Sequence, residues 1–246
     1  MITFSADTKP LAVISIIIDD MGYRLKEGVE AINLPAALTY ALLPNAPHTE
    51  HLSKLARQQG KEIMLHMPMQ ATLDESPEQG VLALDMSEKQ VVETMKKAFA
   101  KVPDAVGMNN HRGSLLTRHP GHMTWVMSEI NKKGIFFVDS RTSKKTVAEK
   151  VAKEFHVPVL RRDVFLDHEM DIASIERQLQ KLIQIAKKQG RAIAIGHPHS
   201  VTLSVLNDAL PRLKALNIEV VPVSEQIQDF GRVSMLATTV VADKRH

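Results

Sequence analysis

The chain has 246 residues, 44% of them apolar and 24% charged, the composition of a globular protein long enough to bury a sizeable core. Its net charge is only +3, and its lysines and arginines are scattered rather than gathered into one stripe, which argues against nucleic acid as the partner. Cysteine is absent, excluding disulfides and thiolate metal ligands, and no apolar run reaches the roughly 18–20 residues that span a bilayer.

Short apolar runs alternate with amphipathic stretches along the chain. Residues 11–20 read as a buried strand, because Ile16-Ile17-Ile18 leads straight into Asp19-Asp20 and Gly22. A second strand covers 37–43, a helix 48–59 ends at Gly60, and a third strand 62–67 is broken by Pro68. After the polar loop holding Asp74-Glu75-Ser76-Pro77, Ser87 is placed to cap a helix reaching about Lys101, with Gln90 at the capping-box position.

Residues 105–108 form a short strand entering Asn109-Asn110-His111. A helix over 120–133 stops at Gly134, and a strand over 135–138 enters Asp139-Ser140-Arg141. A helix over 146–155 precedes a strand starting at 157, and a long helix over 171–189 stops at Gly190. A strand over 192–195 enters Gly196-His197-Pro198-His199, followed by a helix over 201–216 and a last strand over 218–223. Such alternation implies parallel strands with right-handed crossovers. A single-domain α/β fold, a distorted barrel of about seven or eight β/α units, fits better than a dinucleotide-binding sheet, since no Gly-x-Gly-x-x-Gly follows the first strand. The core is expected over about 11–224, with a loosely held tail over 231–246.

The strand ends carry the chemistry. The first delivers Asp19 and Asp20, the third His66, the next Asn109, Asn110 and His111, then Asp139 and Arg141, then Asp163, and finally His197 and His199. In a β/α barrel these ends share one rim. Adjacent carboxylates in a half-desolvated mouth repel unless a cation or a proton holds them. Carboxylate and imidazole donors suit Zn²⁺ and other divalent first-row ions. A spare carboxylate as general base and a separate histidine as acid would complete metal-assisted hydrolysis of an acyl or amide bond. His48, His51, His119 and His122 fall on helices or their caps and are expected to face solvent.

Five ordered motifs resemble the divergent polysaccharide deacetylases, remote relatives of the NodB-type carbohydrate esterases. They are Ile18-Asp19-Asp20-Met21-Gly22, Glu62-Ile63-Met64-Leu65-His66-Met67-Pro68-Met69, Gly107-Met108-Asn109-Asn110-His111-Arg112-Gly113-Ser114, Phe137-Val138-Asp139-Ser140-Arg141-Thr142 and Gly196-His197-Pro198-His199. The resemblance implies a glycoside hydrolase/deacetylase-type barrel, an extracytoplasmic or periplasmic location, an acetylated carbohydrate substrate and a divalent metal, with Zn²⁺ the expected ion. It implies that Asp19 is the base, Asp20 and His66 are metal ligands and His197, with His199 as the alternative, is the acid. Met69 stands where the family's second histidine ligand is expected, and His111 is the candidate replacement. Asp139 joins the catalytic set, with Arg141 as its partner in a rim salt bridge that braces Asp19. Asn109, Asn110, Ser114, Arg141 and His199 are expected to face substrate or orient the ligands. The competing reading is a binding barrel, for carbohydrate or another partner, that keeps the fold and has lost turnover; Met69 is the residue that favours it.

Overall fold

The computed structural model describes residues 12–73 and 79–227; the polar loop at Asp74-Glu75-Ser76-Pro77 and the tail over 231–246 lie outside the described residues. In chain order the elements are β1 (Ala12–Met21), α1 (Leu25–Ile32), β2 (Thr39–Leu42), α2 (Thr49–Gln58), β3 (Glu62–Met69), α3 (Glu88–Lys101) and β4 (Gly107–Arg112). There follow α4 (Pro120–Lys133), β5 (Phe136–Asp139), α5 (Ala148–Glu154), β6 (Val159–Arg161), β7 (Val164–Phe165), α6 (Ile172–Gln189), β8 (Arg191–Gly196), α7 (Ser200–Leu213) and β9 (Ile218–Val220).

All strand pairs are parallel, in the order β6-β5-β4-β3-β2-β1-β8-β7, with β9 beside the start of β1. The two ends of that order, β6 and β7, are separated in the chain only by Arg162 and Asp163. The sheet therefore curls until one bent segment serves both edges, pairing first with β5 and then with β8. Asp163 seals the seam, since its N–H donates to Ile193 O and its Oδ2 accepts the N–H of Ile193, each at 2.9 Å. This is the distorted β/α barrel that the alternation of strands and helices implies.

Period-two alternation sorts the side chains of each strand between two apolar layers. Ile14, Ile16 and Ile18 face the helices, while Ile17 turns inward to meet Ala41, Met64, Val138, Leu160 and Ile195. All four isoleucines are fully buried, each stabilising the fold by roughly 1.5–3 kcal/mol relative to exposure. That packing anchors the strand carrying both aspartates. The same parity places Asp19 above Ile17, His66 above Met64 and His197 above Ile195, so a polar layer lies directly on an apolar plug. The opposite end is closed by hydrogen bonds from Ser15 Oγ to Val221 O, from Gln226 Nε2 to Ser15 Oγ and from Thr39 Oγ1 to Glu62.

The helix boundaries follow their caps. Ser87 and Gln90 form a reciprocal capping box on α3, Gly134 ends α4 at φ 66°, and Asp171 caps α6 through the N–H of Ser174. The sequence reading passed over α1, eight residues with Gly28 in the middle, a residue that weakens helices by about 1 kcal/mol. The glycine is required by packing: a Cβ there would lie 2.5 Å from Leu52 Cδ1 on α2. Likewise β3 runs through Pro68 to Met69, and β4 runs through His111 instead of ending at Met108.

Gly107, at the start of β4, has no room for a side chain, because a Cβ would meet the Phe136 ring at 2.3–2.7 Å. Gly107→Ala is expected to lower stability by about 1–3 kcal/mol, read as a shifted urea midpoint. An unchanged midpoint would contradict this packing.

Candidate functional site

Consecutive residues of a regular strand face opposite ways, so Asp19 and Asp20 reach one mouth only if the strand breaks step. It does so at Asp20, whose φ is 54°, and the β1–β2 register slips between Ile18 and Met21. Aspartate tolerates this left-handed backbone better than most side chains. Three donor atoms from three strand ends then converge. Asp20 Oδ1 lies 2.8 Å from His111 Nδ1 and 3.2 Å from His66 Nε2, and the two ring nitrogens are 3.1 Å apart. His111 shares the face of Asn109 because β4 continues straight through it.

Asn109, fully buried beside His66, joins the two halves of the site. Its Nδ2 donates to Asp19 Oδ1 at 2.8 Å, and its Oδ1 lies 2.7 Å from His66 Nδ1. A carboxylate only accepts, so this network orients the amide with Oδ1 towards the imidazole and assigns the proton to His66 Nδ1. A neutral His66 therefore turns its bare Nε2 towards Asp20 Oδ1. That carboxylate oxygen is buried and has no hydrogen bond among the described residues. Two lone-pair donors this close, with a third at His111, fit a divalent cation.

The electrostatics separate the two aspartates. Burial pushes the Asp19 carboxyl up, against the charges of His66 and His197 and the Asn109 hydrogen bond. Burial also opposes ionisation of Asp20, but His111 and His66, when they carry protons on the facing nitrogens, outweigh it and hold the carboxyl well below the usual range; with neutral rings a cation would have to take that part.

The opposite wall is built on Asp167. Asp167 Oδ1 lies 3.0 Å from His197 Nδ1, while its Oδ2 accepts the His197 N–H at 2.6 Å and the Thr202 hydroxyl at 2.9 Å. His197 Nε2 is left facing Asp20 Oδ2 at 3.8 Å. Burial opposes the imidazolium, but Asp167 outweighs it, with help from Asp20 and Asp19, and raises the His197 pKa to about 9. His199, at the start of α7, lies with its ring 5.7 Å from that of His197. Asp167, His197 and His199 are close enough to share an ion, yet both Asp167 oxygens are already engaged in orienting His197. The signal for Asp167 was present, since Val164-Phe165-Leu166-Asp167 repeats the apolar-then-acid pattern of Ile16-Ile17-Ile18-Asp19.

The remaining candidates brace the strand exits around these groups. Asp139 Oδ1 accepts the backbone N–H of Arg141 at 2.8 Å and its Oδ2 accepts the Thr146 hydroxyl at 3.0 Å. It fixes the turn after β5, and among the described residues it forms neither the expected salt bridge with Arg141 nor a hydrogen bond with Asp19. Asn110 staples two strand exits, donating to Arg112 O and accepting the Ser140 N–H. Ser114 Oγ accepts the Thr72 N–H, tying the loop after β4 to that after β3. Arg141 takes a left-handed backbone at φ 52°. Met69 packs among the buried apolar residues beneath the helices, on the face opposite His66, so a straight β3 cannot bring a ligand at 69 into the mouth. His122 is buried, not solvent-facing, against His119 Nδ1 at 3.0 Å and Met86 O at 3.2 Å.

Comparison with known proteins agrees with this architecture. Residues 16–227 match the model of the divergent polysaccharide deacetylase family. An uncharacterized protein of Haemophilus influenzae is 43% identical over 200 residues, covering 81% of this chain and 71% of that one. The uncharacterized protein YibQ of Escherichia coli is 36% identical over 201 residues, covering 81% of this chain and 63% of YibQ, so the chain spans less than two thirds of that relative's length. Among solved structures, the uncharacterized protein ATU2773 of Agrobacterium tumefaciens superposes with a TM-score of 0.85 at 24% identity over 91% of this chain and 92% of that one. The peptidoglycan deacetylase PdaC of Bacillus subtilis gives 0.56 at 11% identity, covering 93% and 96%. BA3943 of Bacillus anthracis, a CE4 family pseudoenzyme, gives 0.54 at 14% identity, covering 89% and 66%. These structural likenesses establish the fold, and the match over residues 16–227 establishes that the chain belongs to the divergent polysaccharide deacetylase family.

Proposed function

We propose that this chain is a metal-dependent hydrolase that removes acetyl groups from a carbohydrate of the cell envelope, outside the cytoplasm. The observation that carries this reading is the convergence of Asp20 Oδ1, His66 Nε2 and His111 Nδ1 within 2.8–3.2 Å of one another. These residues would hold a divalent cation, with Zn²⁺ the best match to the donor set. When bound, the cation supplies Lewis-acid polarisation of the acyl carbonyl and makes water a stronger acid.

The chain's own residues perform the proton transfers. Asp19, held by Asn109, takes a proton from the attacking water, and His197 gives one to the departing amine nitrogen. One water is consumed, releasing acetate and the free amine. Asp167 keeps His197 protonated and aims its Nε2 at the mouth. The second reading, a binding barrel without turnover, draws on Met69 and on the pseudoenzymes among proteins of this fold. Acetate release from N-acetylated oligosaccharides, with and without chelator, separates the two.

Three further outcomes test the residue assignments. Asp20→Ala and His66→Ala are each expected to lose stoichiometric zinc, whereas Asp19→Asn keeps zinc and loses about 10²–10⁴-fold in rate; zinc retained by both ligand variants contradicts the assignment. Asn109→Leu should weaken zinc about 10–100-fold in competition with a chelator, while Met69→His gains nothing because residue 69 faces the helices. The raised pKa of His197 keeps its proton in place until pH rises through about 9, where activity should fall. Asp167→Asn removes the main stabiliser of the imidazolium, so this alkaline limb should move to lower pH; a limb that stays in place excludes His197 as the acid.

A further inference from the structure

Arg162 lies at the seam where β6 passes into β7, two residues beyond the inward-facing Leu160. The parity of the strand turns it into the same polar layer as Asp19 and His197. Its guanidinium is held on three sides. Nε donates to Ser140 O at 2.7 Å, Nη2 donates to Arg141 O at 3.1 Å, and the guanidinium carbon stands 5.0 Å over the Phe165 ring. Phe165 in turn packs against His197, with ring centroids 5.2 Å apart. A side chain that ordinarily loses much rotamer freedom on binding is thus already ordered beside the candidate acid.

The charge it carries is only partly compensated. Arg162 forms no ion pair among the described residues, and its Nη1 has no hydrogen-bond acceptor there. Burial and the nearby Arg141 make the cation harder to hold, which Asp139, Asp19 and Asp163 only partly relieve. The loop after β5 adds further positive charge through Arg141 and the exposed Lys144 and Lys145, while the Asp139 carboxylate is occupied by its own turn. A half-buried cation with ordered, unused donors is costly unless an anion pairs with it. Exposed aromatic rings for neutral sugars are few among the described residues: Tyr40 is fully buried and Trp125 packs against the core, while Tyr23, just past β1, is exposed.

We infer that Arg162 anchors an anionic oxygen group, a carboxylate or a phosphate monoester, borne by the carbohydrate close to the acyl group that is removed. The inference rests on the hydrolase reading for the place of the acyl group, but its binding claim is independent of turnover. Arg162 is then the residue that makes the site prefer acidic over neutral glycans.

Calorimetric titration tests this with three N-acetylated disaccharides that differ in one substituent: an ether-linked carboxylate, its neutral carboxamide, or a phosphate monoester. The full chain, with and without zinc, should bind at least one of the two anionic sugars about 10- to 100-fold more tightly than the carboxamide. Which anion is favoured identifies the source of the charge. Arg162→Gln should lose that preference, weakening the anionic sugars far more than the carboxamide, and Arg162→Lys should keep part of it. Equal affinity of the wild type for charged and neutral sugars, or a preference that survives Arg162→Gln, overturns the inference. If Arg162 served only as a counter-ion for Asp19, Arg162→Gln would slow charged and neutral substrates alike and shift the acidic limb of the rate profile, which also overturns it. Should Arg162→Gln fail to fold, the wild-type comparison and Arg162→Lys decide. A charge preference without any acetate release leaves this inference standing and removes the hydrolase reading.

Discussion

The amide of Asn109 determines how the mouth of this barrel is wired. One end donates to Asp19 and the other accepts from His66, both buried, so a single side chain orients the candidate base and selects the tautomer of a candidate ligand. With the proton committed to His66 Nδ1, its Nε2 faces the buried Asp20 Oδ1, which has no hydrogen bond among the described residues. Electron pairs are thereby gathered at one point, an arrangement that fits a divalent cation. The apolar plug beneath, with Ile17, Met64 and Ile195 fully buried, removes the water that would otherwise screen those charges.

Strand geometry explains why a site of this kind tolerates Met69. In an unbroken β3, residues 66 and 69 lie on opposite faces, so only one of them can serve the interior. The neighbouring strand β4 instead extends through His111, on the same face as Asn109, and supplies the second imidazole. Asp20 solves the opposite problem: its left-handed backbone lets two successive carboxylates share the mouth. Such strained backbones often mark functional positions, and here Asp20, Arg112 and Arg141 all adopt one at strand exits.

Much of this was legible in the sequence because apolar runs that end in acids or imidazoles mark both a buried strand and its functional end. Asp19, Asp20, His66, His111 and His197 could be gathered on one rim from that pattern alone. The roles of Asp139 and Asp167 could not be sorted that way, since both follow apolar runs and differ only in neighbours: Thr146 and a turn for one, His197 and Thr202 for the other. Arg162 was invisible for a different reason. Its position depends on a segment that changes partner from β5 to β8, a long-range event with no local periodic signature. The helix at Leu25–Ile32 was missed because the packing of Leu52 against Gly28 overrides a poor local propensity.

Zinc-edge X-ray absorption on the chain titrated with one equivalent of Zn²⁺ addresses the central claim most directly. The expected first shell contains two imidazole nitrogens and a carboxylate oxygen at about 2.0–2.2 Å, with the imidazole contribution reduced in His111→Ala. A shell without imidazole scattering, or zinc that washes away from the folded wild type, would contradict the account.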